Sequence, residues 1–168
     1  MPLSMHQTCA PIFLRQLGAL SAILAKAEAY AEAKKIDPST LLTDRLAPDM
    51  LPLSRQIQIA SDAAKAGLAR LAGVEAPSFP DTETTFADLQ ARIAKTVAFV
   101  NSIPADQVDG SEDKDIAFKF RGVETHFKGQ AFLLHFVLPN FFFHVSMAYA
   151  ILRHDGVALG KSDFLGAE

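Results

Sequence analysis

A chain of 168 residues, 49% hydrophobic and carrying a net charge of −3, is sized for one domain over residues 1–168 with a real core. Its Lys and Arg residues are scattered rather than clustered, which argues against a nucleic-acid-binding surface. One cysteine, Cys9, excludes an intramolecular disulfide and a cysteine-based zinc site. With no secretory pattern in MPLSMHQTCAPIFLRQ, this points to the cytoplasm.

Cys9, Phe13, Leu17, Leu20, Leu24, Ala27 and Ala31 recur at spacings of three and four. They predict a helix from Ser4, its N-cap, to about residue 34. Pro38, Pro48 and Pro52 break the following stretch, which reads as an ordered crossover from Ile36 to Pro52. A second long helix is predicted over Leu53–Ala72, with Ile57, Ala60, Ala64, Gly67 and Leu71 inward and Gly73 as its stop. After the APSFPD turn, Thr84 or Thr85 caps a helix at roughly 84–102.

DIAFKF and VETHFK alternate apolar with polar residues around Arg121-Gly122 and predict a short hairpin. The last helix is predicted over about Lys128–Asp155, and between Lys128 and Arg153 it runs GQAFLLHFVLPNFFFHVSMAYAIL with no Asp, Glu, Lys or Arg. A helix apolar around its whole circumference is expected to be buried on nearly all sides. It reaches the ~20 residues of a membrane span. Gln130, His135, Pro139, Asn140 and His144, and the lack of a second such segment, favour a core helix and no membrane. The predicted fold is all-α: an antiparallel four-helix bundle with a long crossover after the first helix and a short β-hairpin before the last.

Polar residues inside the last helix need partners, since an unpaired buried polar group is costly. Asn140 and His144 are four apart and share a face, whereas His135 and His144 are nine apart, about half a turn out of phase. Pro139 removes the hydrogen bond to the His135 carbonyl and is expected to kink the helix. On the second long helix Arg55, Gln58, Asp62 and Lys65 form one polar stripe. Asp62 there either pairs with Lys65 at the surface or reaches between helices to His144. His6 lies three residues before Cys9, but Cys9 sits in line with leucines and reads as an inert buried thiol. His6, Arg55, Gln58 and His135 are the remaining candidate pocket residues. No phosphate loop, G-x-S-x-G, H-E-x-x-H or EF-hand pattern occurs.

The segments SMHQTCAPIFLRQLGALSAIL, LAPDMLPLSRQIQIASDAAKAGLARLAG and GQAFLLHFVLPNFFFHVSMAYAILRHDGVALGKSDFLG resemble a bacterial family of unknown function close to the DinB/YfiT-like metalloenzymes. The resemblance implies the same bundle, often a homodimer. Metal-bearing members use one histidine from the second helix and two, four apart, from the fourth. On this chain the matching positions of the fourth helix are Asn140 and His144, and the second helix has no histidine, Asp62 being its nearest suitable residue, so one histidine survives of three. Two readings follow. One is a metal-free small-molecule-binding or interaction protein with a degenerate metal site, a homodimer whose pocket is lined by Phe141, Phe142, Phe143, Asn140 and His144. The other is a thiol-dependent transferase-like enzyme holding a divalent ion, zinc or nickel, at His144, Asn140 and Asp62.

Overall fold

The computed structural model describes residues 3–166, so both ends of the expected 1–168 domain lie outside the described residues. Helix α1, Ala10–Lys34, begins later than the spacing predicts, with Pro11 in its first turn, where a missing N–H costs nothing. Ser4 instead closes the preceding turn, exchanging hydrogen bonds with Gln7 (3.1 and 3.3 Å). The crossover contains a short helix α2, Pro38–Thr43, capped by Asp37, and buries Leu41 and Leu42. Helix α3 is Leu53–Ala72, ending in a left-handed Gly73. Helix α4, Phe86–Ser102, starts behind a capping box between Thr85 and Asp88, and α5 is the single turn Ala105–Val108.

Strands β1, Asp115–Phe120, and β2, Val123–Lys128, pair antiparallel. Arg121 and Gly122 both take positive φ, 50° and 81°, as a two-residue hairpin turn of this hand demands. Helix α6, Gly129–Phe132, runs into a π-helical turn, Leu133–Val137, and then into α7, Leu138–His154. At the expected kink the helix opens into a π turn. Pro139 has no N–H and its ring excludes the His135 carbonyl, and the Leu138 N–H bonds five residues back to Leu133 O. The tail adds a helix the periodicity did not predict, α8, Lys161–Leu165. Gln16 and Arg15 hold it to α1 by donating to Phe164 O and Leu165 O at 2.7 and 2.8 Å.

The result is a mostly helical chain with one small antiparallel sheet. α1 packs on α4 and α7, and α3 packs on the same two helices from its own side. Between them lies the core, where Phe13 and Phe141 meet edge to face at 5.0 Å. Gly67 marks the closest approach of α3 to the π turn, because a Cβ there would overlap Val137 Cγ1. The last long helix is not buried on nearly all sides: 39% of its most apolar 18-residue window is buried. α7 packs chiefly on α3 and α1, with Tyr149 also meeting Phe164 of α8, and its outer face stays open: Phe143, and Leu134 in the π turn before it, are 50% and 44% exposed.

The crossover and the end of α7 meet at two acids. Burial, together with the Asp44 carboxylate beside it, pushes Asp155 up to about 7. Its hydrogen bond in turn holds Asp44 below the usual carboxylate range. A pKa raised by folding means stability that is intact below the unfolded value and lost as pH rises through the folded one. Asp155→Asn, which cannot ionise, is expected to gain in melting temperature over wild type as pH goes from about 4 to about 8. A difference that stays constant across that range would contradict the assignment.

Candidate functional site

His144 is buried on α7, and its Nδ1 lies 2.7 Å from Gln56 Oε1 on α3. Gln56 Nε2 donates to Leu51 O at 2.9 Å, so the amide oxygen faces the ring and Nδ1 carries the proton. Burial lowers the His144 pKa, which keeps the imidazole neutral. The histidine that the resemblance assigns to a metal is thus bonded to a neutral amide that ties α7 to the start of α3.

Asp62 does not join it. Its Oδ1 receives Lys65 Nζ and Arg92 Nη2, each at 3.0 Å. Arg92, on the inner face of α4, is 1% exposed. Its Nη1 also meets Glu83 Oε1 at 2.9 Å and Asp81 Oδ1 at 3.0 Å. Arg55 pairs with Asp81 and donates to Gln58 Oε1 at 2.6 Å, and Gln58 Nε2 donates to Glu83 Oε2 at 2.8 Å. Burial works to raise the Glu83 pKa, but the hydrogen bonds from Arg92 and Gln58 win and hold it low. The stripe predicted on α3 is therefore real and serves an ionic network that docks the 79–83 loop and α4, with Lys65 also 4.0 Å from the Phe79 ring.

The other predicted pocket residues do not gather. His6 is half-buried and its backbone N–H donates to Asp109 Oδ1 at 2.8 Å. Cys9 is fully buried and desolvation pushes its thiol up to about 12, so the pair is no nucleophile and base. His135 is exposed on the π turn. Of the three consecutive rings, Phe141 is buried in the core, Phe142 is half-buried and Phe143 stands at the surface beside His144. None of the three lines a cavity with Asn140.

Asn140 does line one. A groove of about 200 Å³ runs between α3, the hairpin and the α6–α7 segment. Its walls carry Phe118 and Phe120 from β1, Phe132 and Phe136 from α6 and the π turn, and Val137. Ile59, Ala63, Ala66 and Gly67 of α3 form the facing wall, and the polar members are Asp62, Arg70, Lys119 and Asn140. Phe118 contacts Phe132 and Phe136 at centroid distances of 5.4 and 5.0 Å, and Phe120 contacts Phe136 at 5.1 Å. These rings fasten to the helices a hairpin that would be marginal alone. Their signal was present in the sequence: Phe118 and Phe120 alternate on one strand face, and Phe132 and Phe136 are four apart. What it lacked was the knowledge that the hairpin folds back over α3.

These donors do not suit the divalent ion that the resemblance implies. Asp62 is shared by two cations, His144 is bonded to Gln56, and only Asp62 and Asn140 reach the groove. Among the described residues no group of three or more His, Cys, Asp or Glu side chains is placed to hold a metal. An asparagine amide alone is a poor ligand for zinc or nickel.

Comparison with known proteins agrees with this architecture. No curated protein matches the chain significantly. The crystal structure of a DinB family member protein from Shewanella denitrificans superposes with a TM-score of 0.88 at 40% sequence identity, covering 97% of this chain and 92% of that one. The model of DUF1993, a domain of unknown function, matches residues 5–165. With the match running through all the long helices and the hairpin, the chain belongs to the DUF1993 family and is related to DinB-like proteins.

Proposed function

We propose that this is a metal-free small-molecule-binding protein, built as an antiparallel four-helix bundle with a degenerate metal site, whose ligand occupies the groove between α3, the hairpin and α6–α7. The observation that carries the reading is the groove itself: an aromatic and aliphatic lining with a few polar groups, open between α3, the hairpin and α6–α7. Binding sites have this composition, mostly apolar walls with a small number of placed polar groups. The groove falls where the resemblance places the metal site, with Asp62 on one wall and Asn140 on the other. His144, turned away to Gln56, has become part of the scaffold that holds α3 to α7. At about 200 Å³ the ligand is smaller than a drug-sized molecule.

Ligand-observed NMR with a library of fragment-sized aromatic and aliphatic compounds tests this. Ala66 faces the groove, and Ala66→Leu adds bulk to it while keeping every residue of the ionic network. Hits on wild-type protein that vanish in the filled variant are expected. Hits that persist equally in Ala66→Leu, or no hits at all, would contradict the reading.

A further inference from the structure

The charged groups of the groove are not equivalent, and their difference bears on what binds there. Asp62, the one acid on its walls, is compensated from behind by Lys65 and Arg92 at 3.0 Å each. Arg70 has no such compensation. Its Cζ lies 4.9 Å from the centre of the Phe118 ring, and its one hydrogen bond, Nη1 to Ala66 O, is 3.3 Å long. Among the described residues no carboxylate comes within ion-pair distance of it. Half-burial without a counter-charge disfavours the guanidinium and lowers its pKa, a cost that an anionic ligand would offset.

Lys119, between Phe118 and Phe120 on β1, also borders the groove, with Glu124 opposite it in the hairpin ladder. Asn140 supplies an amide on the far wall that has no hydrogen-bond partner among the described residues. Between these polar ends lie the Phe118, Phe132 and Phe136 rings. A ligand matching this layout has one planar anionic group for the guanidinium fork and a flat apolar body for the rings. With Cζ over the Phe118 ring and Nη1 on Ala66 O, Nε and Nη2 of the guanidinium have no hydrogen-bond acceptor among the described residues.

We infer that the groove selects small monocarboxylates with an aromatic or flat apolar body, with Arg70 as the residue that reads the carboxylate. This rests on the groove being the ligand site. It assigns Arg70 a role that a purely structural surface arginine would not have.

Isothermal titration at low ionic strength with three probes of one shape, phenylacetate, phenylacetamide and phenethylamine, separates the two levels. Wild-type protein is expected to bind the acid at least about tenfold more tightly than the neutral amide, the scale of a charge-assisted hydrogen bond. Arg70→Met keeps the side-chain length, and should weaken the acid by at least about tenfold while leaving the amide within about twofold. Retained amide binding also shows that the variant is folded. Equal affinity of wild type for acid and amide, preference for the amine, or an acid preference that survives in Arg70→Met would overturn the carboxylate assignment and leave the groove reading standing. The comparison among probes on wild type decides the carboxylate preference even if Arg70→Met does not fold, and Arg70→Gln then tests the assignment to Arg70. Failure of all three probes to bind up to millimolar concentration would overturn both.

Discussion

Arg92→Met is expected to destabilise the fold by about 3 kcal/mol at neutral pH. The guanidinium is 1% exposed and is the common partner of Asp62, Asp81 and Glu83. Removing one member of a buried charge network costs more than the network contributes, because the remaining charges stay desolvated. Two features hold the expected loss to the low end of the usual range. Asp62 and Asp81 are 43% and 39% exposed, so water takes over much of their solvation. Arg92 Nε is buried without a partner, a cost of about 1 kcal/mol that methionine removes. Glu83, 10% exposed, carries most of the loss. Its pKa is held below the ordinary value in the folded state, so its contribution is present above the unfolded pKa and fades as pH falls through the folded one. Urea unfolding should therefore show a wild-type advantage at pH 7 that narrows in acid. Equal midpoints at pH 7, or an advantage unchanged in acid, would contradict the network's role.

Gly129→Ala should be as severe, about 3 kcal/mol, for a different reason. A Cβ at Gly129 would overlap the Ser111 carbonyl oxygen and stand 3.0 Å from the carbonyl carbon. The obstacle is backbone, and it is fixed, since the Gln130 N–H donates to Glu112 O at 2.9 Å. The loop ahead of the hairpin is thereby sealed against the first turn of α6. By helix propensity alone alanine would be favoured over glycine by about 1 kcal/mol, so the sterics must reverse the sign. Gly18, exposed in the middle of α1 with nothing within 4 Å of its would-be Cβ, is the matched control. Gly18→Ala should raise the urea midpoint and Gly129→Ala should lower it. Shifts of the same sign in both would refute the close approach.

Much of the architecture was legible because it rests on local rules. The α3 boundaries follow from Pro52 and Gly73, and the hairpin from alternation around Arg121-Gly122. Other departures came from contacts that sequence spacing does not encode. Pro11 sits at the later start of α1, and the helix ahead of Pro139 opens into a π turn. The apolar 129–154 run was expected to be buried on nearly all sides, but its outer face, with Leu134 and Phe143, is left uncovered.

The site was legible in part. Asp62 and Asn140, named as candidate metal ligands, both line the groove between α3, the hairpin and α6–α7. Their grouping with His144 failed because helical spacing places residues on a face without saying what the opposite helix offers. Gln56 took His144, and Arg92 took Asp62. Arg92 itself carried a signal, a lone arginine between the inward Leu89 and Ile93 with acids at 81 and 83 just upstream. Arg70 carried none, since its isolation from every described carboxylate is a property of the packed structure.

The most direct test of the groove is backbone amide NMR of the full chain during titration with phenylacetate. The account predicts shifts confined to residues 59–70 of α3, 118–120 of β1 and 132–140 of α6–α7, with those of Arg70 and Asn140 among the largest. Shifts centred instead on the Phe79–Lys95 side of α4, or on the exposed face around Phe143, would contradict it.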